Sequence, residues 1–278
     1  MEEVAQVSSS GPIGVFDSGV GGLTVVGEIR RHLPGEDILY FGDTARVPYG
    51  NKSRDTVIRY SREIGRFLSG KGIRFLVVAC NTSSSWALDT LSGELDVPVL
   101  GMIEPGARAA VKATRGGRVG LIGTRATVSS GAYSRAIQRI DPSVRVFSVA
   151  CPLFVPLVEE GWADDPIASD VAERYLAPLL AEDVDSLILG CTHYPVLVPV
   201  LKRVAGEGVT LISSAASAVA ALAERLSSKD ERSAERERGS LTCYVTDAGT
   251  HFREVGENIL GEKIRDMQAV DEERLVLP

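Results

Sequence analysis

Phe75-Leu76-Val77-Val78-Ala79-Cys80-Asn81-Thr82 is a short apolar run with two β-branched valines that stops at a cysteine and two small polar residues. Four apolar residues bounded in this way predict a buried strand over Phe75–Val78, with the chain turning at Cys80. The pattern recurs at Leu187-Ile188-Leu189-Gly190-Cys191-Thr192. Upstream of each lies a second matched pair, Ile13–Ser18 (IGVFDS) and Val119–Thr124 (VGLIGT). Each half of the chain therefore holds an opening strand and a later strand that ends in cysteine plus a polar residue.

Working outward, similar runs predict strands at Ile13–Phe16, Ile38–Phe41, Val97–Leu100, Val119–Ile122, Val144–Val149, Ser186–Leu189, Val209–Ile212 and Leu241–Val245. Amphipathic stretches alternate with them, as βα units of a mainly parallel sheet require. The clearest helix runs from Ser53 to Leu68, with Val57, Tyr60, Ile64, Phe67 and Leu68 on one face and Arg54, Asp55, Arg59, Arg62 and Arg66 on the other. The expected fold is α/β: two similar three-layer domains facing each other, with both cysteine-bearing strand ends at one shared cleft.

A chain of 278 residues is comfortable for two hydrophobic cores. Its net charge of −7, without a basic block, argues against nucleic acid or an anionic membrane as partner and favours a small molecule. The first ten residues carry acids where a signal peptide needs bases and read as a disordered lead-in. No apolar run approaches the roughly 18 residues of a membrane span, so the expected compartment is the cytoplasm. The four cysteines, Cys80, Cys151, Cys191 and Cys243, lie far apart and read as free thiols. Ser227–Gly239 is dense in charge without apolar periodicity and reads as an exposed loop.

In open parallel sheets the ligand crevice lies beyond the carboxyl ends of the strands. Asp17, Ser18, Asp43, Cys80, Asn81, Thr82, Thr124, Cys191, Thr192 and His193 all follow a predicted strand. Singly, Ser18, Thr82 or Thr192 is as well explained as a helix cap. The cysteines are not, because cysteine is a poor cap and rarely sits at a wet strand end. A cysteine ahead of a helix N-terminus has its thiolate favoured by the helix dipole, which draws a reference pKa of about 8.5 toward neutrality. Two such groups on opposite faces of a carbanion remove hydrogen from one side and return it to the other, which inverts the centre. In this scheme Asp17 poises Cys80, His193 poises Cys191, and Ser18, Asn81, Thr82 and Thr192 cradle a carboxylate.

Three rival motifs are weaker. In Gly19–Thr24 (GVGGLT) a threonine replaces the third glycine of a dinucleotide turn and no phosphate-loop lysine follows. Cys191 and His193 lack a third ligand at a familiar zinc spacing, so no metal is expected. No lysine follows one of these strands to form a Schiff base, so no pyridoxal cofactor is expected either.

At these residues the sequence resembles the glutamate racemases of bacterial cell-wall synthesis. The resemblance is carried by Ile13–Val26 (IGVFDSGVGGLTVV), Tyr40–Gly50 (YFGDTARVPYG), Val77–Ser85 (VVACNTSSS), Gly101–Gly106 (GMIEPG), Cys151–Gly161 (CPLFVPLVEEG) and Leu187–Leu197 (LILGCTHYPVL). It implies that Cys80 and Cys191 are the catalytic pair, assisted by Asp17, His193 and Glu159, with Glu160 adjacent to the last. It implies that Asp17-Ser18, Pro48-Tyr49-Gly50, Asn81-Thr82 and Thr192-His193 hold substrate. It further implies cofactor-independent interconversion of L- and D-glutamate for peptidoglycan, a homodimer, and a first domain (11–106 and 213–278) completed by the C-terminal segment around a second (107–212). Two alternatives remain at this level: a related racemase acting on aspartate, a hydantoin or a dicarboxylate, and a two-lobed binding module that does no chemistry.

Overall fold

The computed structural model describes residues 11–228 and 238–276. The expected lead-in over 1–10 and most of the charged loop within Ser227–Gly239 lie outside the described residues. The strands are β1 (Ile13–Asp17), β2 (Ile38–Gly42), β3 (Phe75–Val78), β4 (Val99–Gly101), β5 (Arg118–Gly123), β6 (Arg145–Ala150), β7 (Ser186–Gly190), β8 (Thr210–Ser213), β9 (Leu241–Val245) and β10 (Asp266–Ala269). They form two sheets, ordered β10-β9-β2-β1-β3-β4 and β6-β5-β7-β8. Every pairing is parallel.

The internal repeat is visible in this topology. The run β2-β1-β3-β4 in one sheet has the same order as β6-β5-β7-β8 in the other. In both, the opening strand (β1 or β5) lies between its two successors, so the order reverses beside it. That is where a crevice opens at the carboxyl ends of the strands. β3 and β7, which lead into Cys80 and Cys191, occupy the corresponding places.

Each sheet is covered on both faces, which explains the near-continuous apolar strands. In β1, Ile13 and Val15 face one core together with Val77 of β3, while Phe16 faces another with Leu76 and Val78. In the second sheet, Val119, Leu121 and Ile188 share one core, and Ile122, Leu187 and Leu189 the other. The helix Arg54–Ser69 follows the predicted one closely. Ser53 Oγ caps it by accepting from Thr56 N, and Val57, Ser61, Ile64, Gly65 and Leu68 are buried. Burial of each aliphatic side chain of this kind contributes about 1.5–3 kcal/mol.

The chain crosses from the first sheet to the second after β4 and returns after β8. The helix Ile103–Ala113 contains Gly106 and packs through Ala107 and Ala110 on the second sheet. The helix Ser214–Ser228, just past Ile212, packs through Ala218, Val219 and Leu222 on the first. β9 and β10 then extend the first sheet beside β2. β10 has no counterpart among the sequence-predicted strands: Asp266, Met267, Gln268 and Ala269 carry no β-branched residue, and the strand is a mostly exposed edge.

Candidate active site

The strand ends of the two sheets open onto one cavity of about 340 Å³, and Cys80 and Cys191 both line it. Ser18, Pro48, Tyr49, Gly50, Asn81, Thr82, Thr124, Glu159, Thr192 and His193 line it too. Of the sequence-predicted strand-end residues, Asp17 and Asp43 are absent from the wall; both are fully buried. A larger open groove of about 1010 Å³ meets this region at Glu159, but it holds neither cysteine.

Cys80 sits at the cap position of the short helix Asn81–Trp86, 5% exposed, with its sulfur 3.8 Å from Ser18 Oγ. Here the expectation of a lowered thiol pKa is corrected. Burial, and then the charge of Asp17, push the Cys80 thiol up to about 12, against hydrogen bonds from Ser83 and Ser18 that favour the thiolate. Loss of water around the sulfur outweighs the dipole of a helix of six residues. Asp17 is itself raised, by burial first, although the His193 charge and hydrogen bonds from Gly19, Gly22 and Thr192 pull it down. Its Oδ2 accepts from Gly19 N at 3.1 Å, and its Oδ1 accepts from Thr192 Oγ1 at 3.3 Å. Asp17 thus ties the loop after β1 to the loop after β7.

Cys191, on the wall of the same cavity, is 6% exposed, and its sulfur lies 3.8 Å from His193 Nδ1. No α-helix starts directly after Cys191; the 3₁₀ turn Tyr194–Leu197 intervenes before the helix Val198–Ala205. The imidazole supplies what a helix dipole does not. Its Nε2 lies 2.9 Å from Glu159 Oε1. Burial alone would lower the His193 pKa, but Cys191 and Glu159 on its two nitrogens hold it up to about 10. Burial would raise Glu159, yet the hydrogen bond and charge of His193, with His251 behind it, bring it below its ordinary value. Of the two adjacent acids, Glu159 reaches the histidine, whereas Glu160 is exposed.

At this cavity hydroxyls from the strand ends of both sheets meet. Thr82 Oγ1 lies 2.9 Å from Thr124 Oγ1 and 3.3 Å from Thr127 Oγ1, and Thr124 and Thr127 are 3.0 Å apart. Thr124 Oγ1 also accepts from Thr127 N at 3.1 Å, capping the helix Arg125–Ser130. That bond occupies a lone pair, and the Thr124 hydroxyl in turn donates to Thr127 Oγ1. Asn81 holds the same wall from behind, accepting from Tyr133 OH at 2.8 Å and donating to Ser214 Oγ at 3.3 Å.

Sequence reasoning missed several contributors. Val47 and Asn51 on one side, and Arg125, Pro152, Val155 and Pro156 on the other, also line the cavity. Fully buried Thr127 completes the hydroxyl cluster. The second of two threonines three apart carried a readable signal, as the partner of an N-cap. The apolar rim carried none. Gly21 was read only as part of a turn, but a Cβ there would meet His193 Nδ1, His193 Cε1 and Thr192 Oγ1, each at 2.5 Å. Its bare backbone is what lets the first lobe approach the Cys191 loop. Thr24 Oγ1 closes the same seam by donating to Thr192 O at 2.9 Å. Among the described residues no three His, Cys, Asp or Glu side chains converge in a way that could hold a metal ion.

One cavity is thus lined by two cysteines, a histidine and a set of hydroxyl groups. Residues 14–222 match the family model described as Asp/Glu/hydantoin racemase. A glutamate racemase of Geobacter metallireducens is 52% identical over 258 residues, covering 93% of this chain and 96% of that protein. The crystal structure of a glutamate racemase isoform from Bacillus anthracis superposes with a TM-score of 0.91 at 41% identity, over 95% of this chain and 98% of that one. The glutamate racemase of Francisella tularensis, solved in complex with D-glutamate, gives a TM-score of 0.89 at 36% identity, again over 95% and 98%.

Proposed function

The chain belongs to the Asp/Glu/hydantoin racemase family, and from that membership we propose that it interconverts L- and D-glutamate by moving one proton across the α-carbon between Cys80 and Cys191. The observation that carries this reading is the placement of two cysteines, from corresponding strand ends of two sheets, on the wall of one cavity of about 340 Å³. A cavity of that size suits a single amino acid.

The reaction needs one thiolate and one thiol. The thiolate takes the α-hydrogen as a proton, and the electron pair of the C–H bond passes into the carboxylate as an enediolate-like carbanion. The facing thiol then returns its own proton to the other face, forming the new C–H bond and becoming the thiolate. Each turnover leaves the two sulfurs with exchanged protonation states, ready for the opposite enantiomer or for proton exchange with water. Asn81 and Thr82, together with Thr124 and Thr192 once their hydroxyls turn from Thr127 and Asp17, are suited to donate hydrogen bonds to substrate carboxylates, and such donors favour the charge that develops in the transition state. His193, whose pKa Cys191 and Glu159 together hold up, supplies a charge-assisted hydrogen bond to the Cys191 sulfur. Asp17 acts from below, joining the loops that carry Ser18 and Thr192.

The glutamate racemases among the relatives support glutamate as substrate. Supply of D-glutamate to peptidoglycan, residence in the cytoplasm and a homodimer belong to the same proposal. So does the division into a first domain of 11–106 plus 213–278 and a second of 107–212. A panel of glutamate, aspartate and hydantoins tests the substrate. Cys80→Ala and Cys191→Ala should each abolish racemisation of L-glutamate followed by optical rotation. Full turnover by either variant would refute the paired-thiol scheme.

A further inference from the structure

Behind the Cys80 wall lies a group of buried charges that the proposed chemistry does not use. Tyr49 is 1% exposed and packs with Val57 and Cys80 in one small apolar cluster. Its hydroxyl donates to Asp43 Oδ2. Asp43 is completely buried and does not line the cavity. Its carboxylate also accepts from Arg46 Nε at 2.8 Å and from Thr246 Oγ1 at 3.0 Å. The Arg46 guanidinium continues to Glu63 and lies 4.0 Å over the ring of Tyr60, which in turn lies 5.6 Å from the ring of Tyr49. Burial and the neighbouring Asp43 charge keep the Tyr49 phenol well above its ordinary pKa, so it remains a donor to that carboxylate.

An apolar filler would serve packing alone, since a buried carboxylate is costly unless fully partnered. What the carboxylate adds is direction: its three donors, Arg46 and Tyr49 from the loop after β2 and Thr246 from beyond β9, leave the Tyr49 hydroxyl one place to bind. The ring on the other end of that bond is packed beside the thiol. We propose that Asp43 is a positioning residue for the Cys80 half of the reaction, acting from outside the cavity by fixing the Tyr49 ring against Cys80. This inference rests on the racemase reading above. Thr246 follows β9, so the C-terminal return of the chain takes part in the same fixation.

The test uses the fact that L- and D-glutamate have equal free energy, which forces kcat/KM to be equal in the two directions for any variant. A misplaced Cys80 therefore shows in how the barrier is divided. Asp43→Asn should lower kcat/KM by about 10- to 100-fold, the scale of a catalytic group displaced by about 1 Å. With α-deuterated substrate, its isotope effect should rise in the direction where Cys80 abstracts and fall toward unity in the other. His193→Gln, which weakens the Cys191 half, should shift the two isotope effects in the reverse sense. Tyr49→Phe should reproduce the Asp43→Asn pattern, and the double variant should lose little more than either single one. Should Asp43→Asn fail to fold, Tyr49→Phe alone decides the matter by its isotope effects. An active wild type with isotope effects unchanged in Asp43→Asn or Tyr49→Phe, or shifted as in His193→Gln, overturns this inference alone. A wild type that does not racemise glutamate overturns the parent reading, and this one with it.

Discussion

Replacing Glu159 by Gln isolates one of the two partners that raise the His193 pKa, the other being Cys191. His193 is 5% exposed, its Nε2 lies 2.9 Å from Glu159 Oε1, and its pKa is held up to about 10. Glutamine keeps the acceptor and removes the charge. A hydrogen bond to a charged group contributes about 1.5–3 kcal/mol and a neutral one about 0.5–1.5 kcal/mol, so the substitution removes roughly 1–1.5 kcal/mol. Glu159 is partly open to solvent, which screens its remaining field. At roughly 1.4 kcal/mol per pKa unit, the histidine should titrate about one unit lower in Glu159→Gln. The imidazolium stays filled at neutral pH in both proteins, so kcat/KM near pH 7 should change by less than about threefold. Near pH 10 the protonated fraction should differ by about fivefold. Imidazole NMR titration reads the shift directly, with the other two histidines, His32 and His251, assigned by comparison with His193→Gln. The pH profile of kcat/KM, taken as a ratio of variant to wild type, cancels the titration of substrate. A His193 that titrates near 6.5 in the wild type, or a titration unmoved by Glu159→Gln, would refute the electrostatic reasoning.

The same ion pair makes stability depend on pH, and the two partners set opposite limbs. His193 is raised above its ordinary 6.5, so its contribution is complete below about pH 6.5 and is lost as the pH climbs through about 10. Glu159 is lowered below its ordinary 4.5, so its contribution is present above about pH 4.5 and is lost as the pH falls through the depressed value. Urea midpoints of wild type and Glu159→Gln should therefore differ most between about pH 4.5 and 6.5 and converge toward pH 10; a constant offset across that range would contradict the assignment. Gly21→Ala places a Cβ 2.5 Å from His193 Nδ1 and Thr192 Oγ1, so it should cut kcat/KM by about 100-fold. A steady-state assay showing wild-type turnover would mean that the seam has slack. Thr127→Val removes one hydroxyl from a buried cluster of three and should cost about 1–3 kcal/mol in denaturant unfolding, with a raised KM. Unchanged stability and KM would show that Thr127 serves only as filler.

Much of this molecule was legible in its sequence because parallel sheets buried on both faces write themselves as apolar runs. β3 and β9 begin and end at the predicted residues, and the others shift by one or two. The paired cysteines were legible for a physical reason as well: a thiol at a strand end, where capping residues belong, conflicts with its local setting, and such conflicts mark sites. β10 was not legible because an exposed edge strand needs no apolar alternation. Arg125, Val155 and Pro156 were missed because their types are common on any surface, and only the approach of the first lobe gives them a role. The Cys80 thiol was misjudged in sign because sequence reveals a helix start but not how thoroughly water is excluded from it.

The most direct test of two opposed thiols is the position of label early in a reaction. L-Glutamate incubated with the enzyme in deuterated water and quenched at a few per cent conversion should give D-glutamate carrying deuterium at the α-carbon, while recovered L-glutamate retains protium, because the acceptor of one proton is not the donor of the next. Deuterium entering recovered L-glutamate as fast as product forms would indicate a single base serving both faces and would contradict the account.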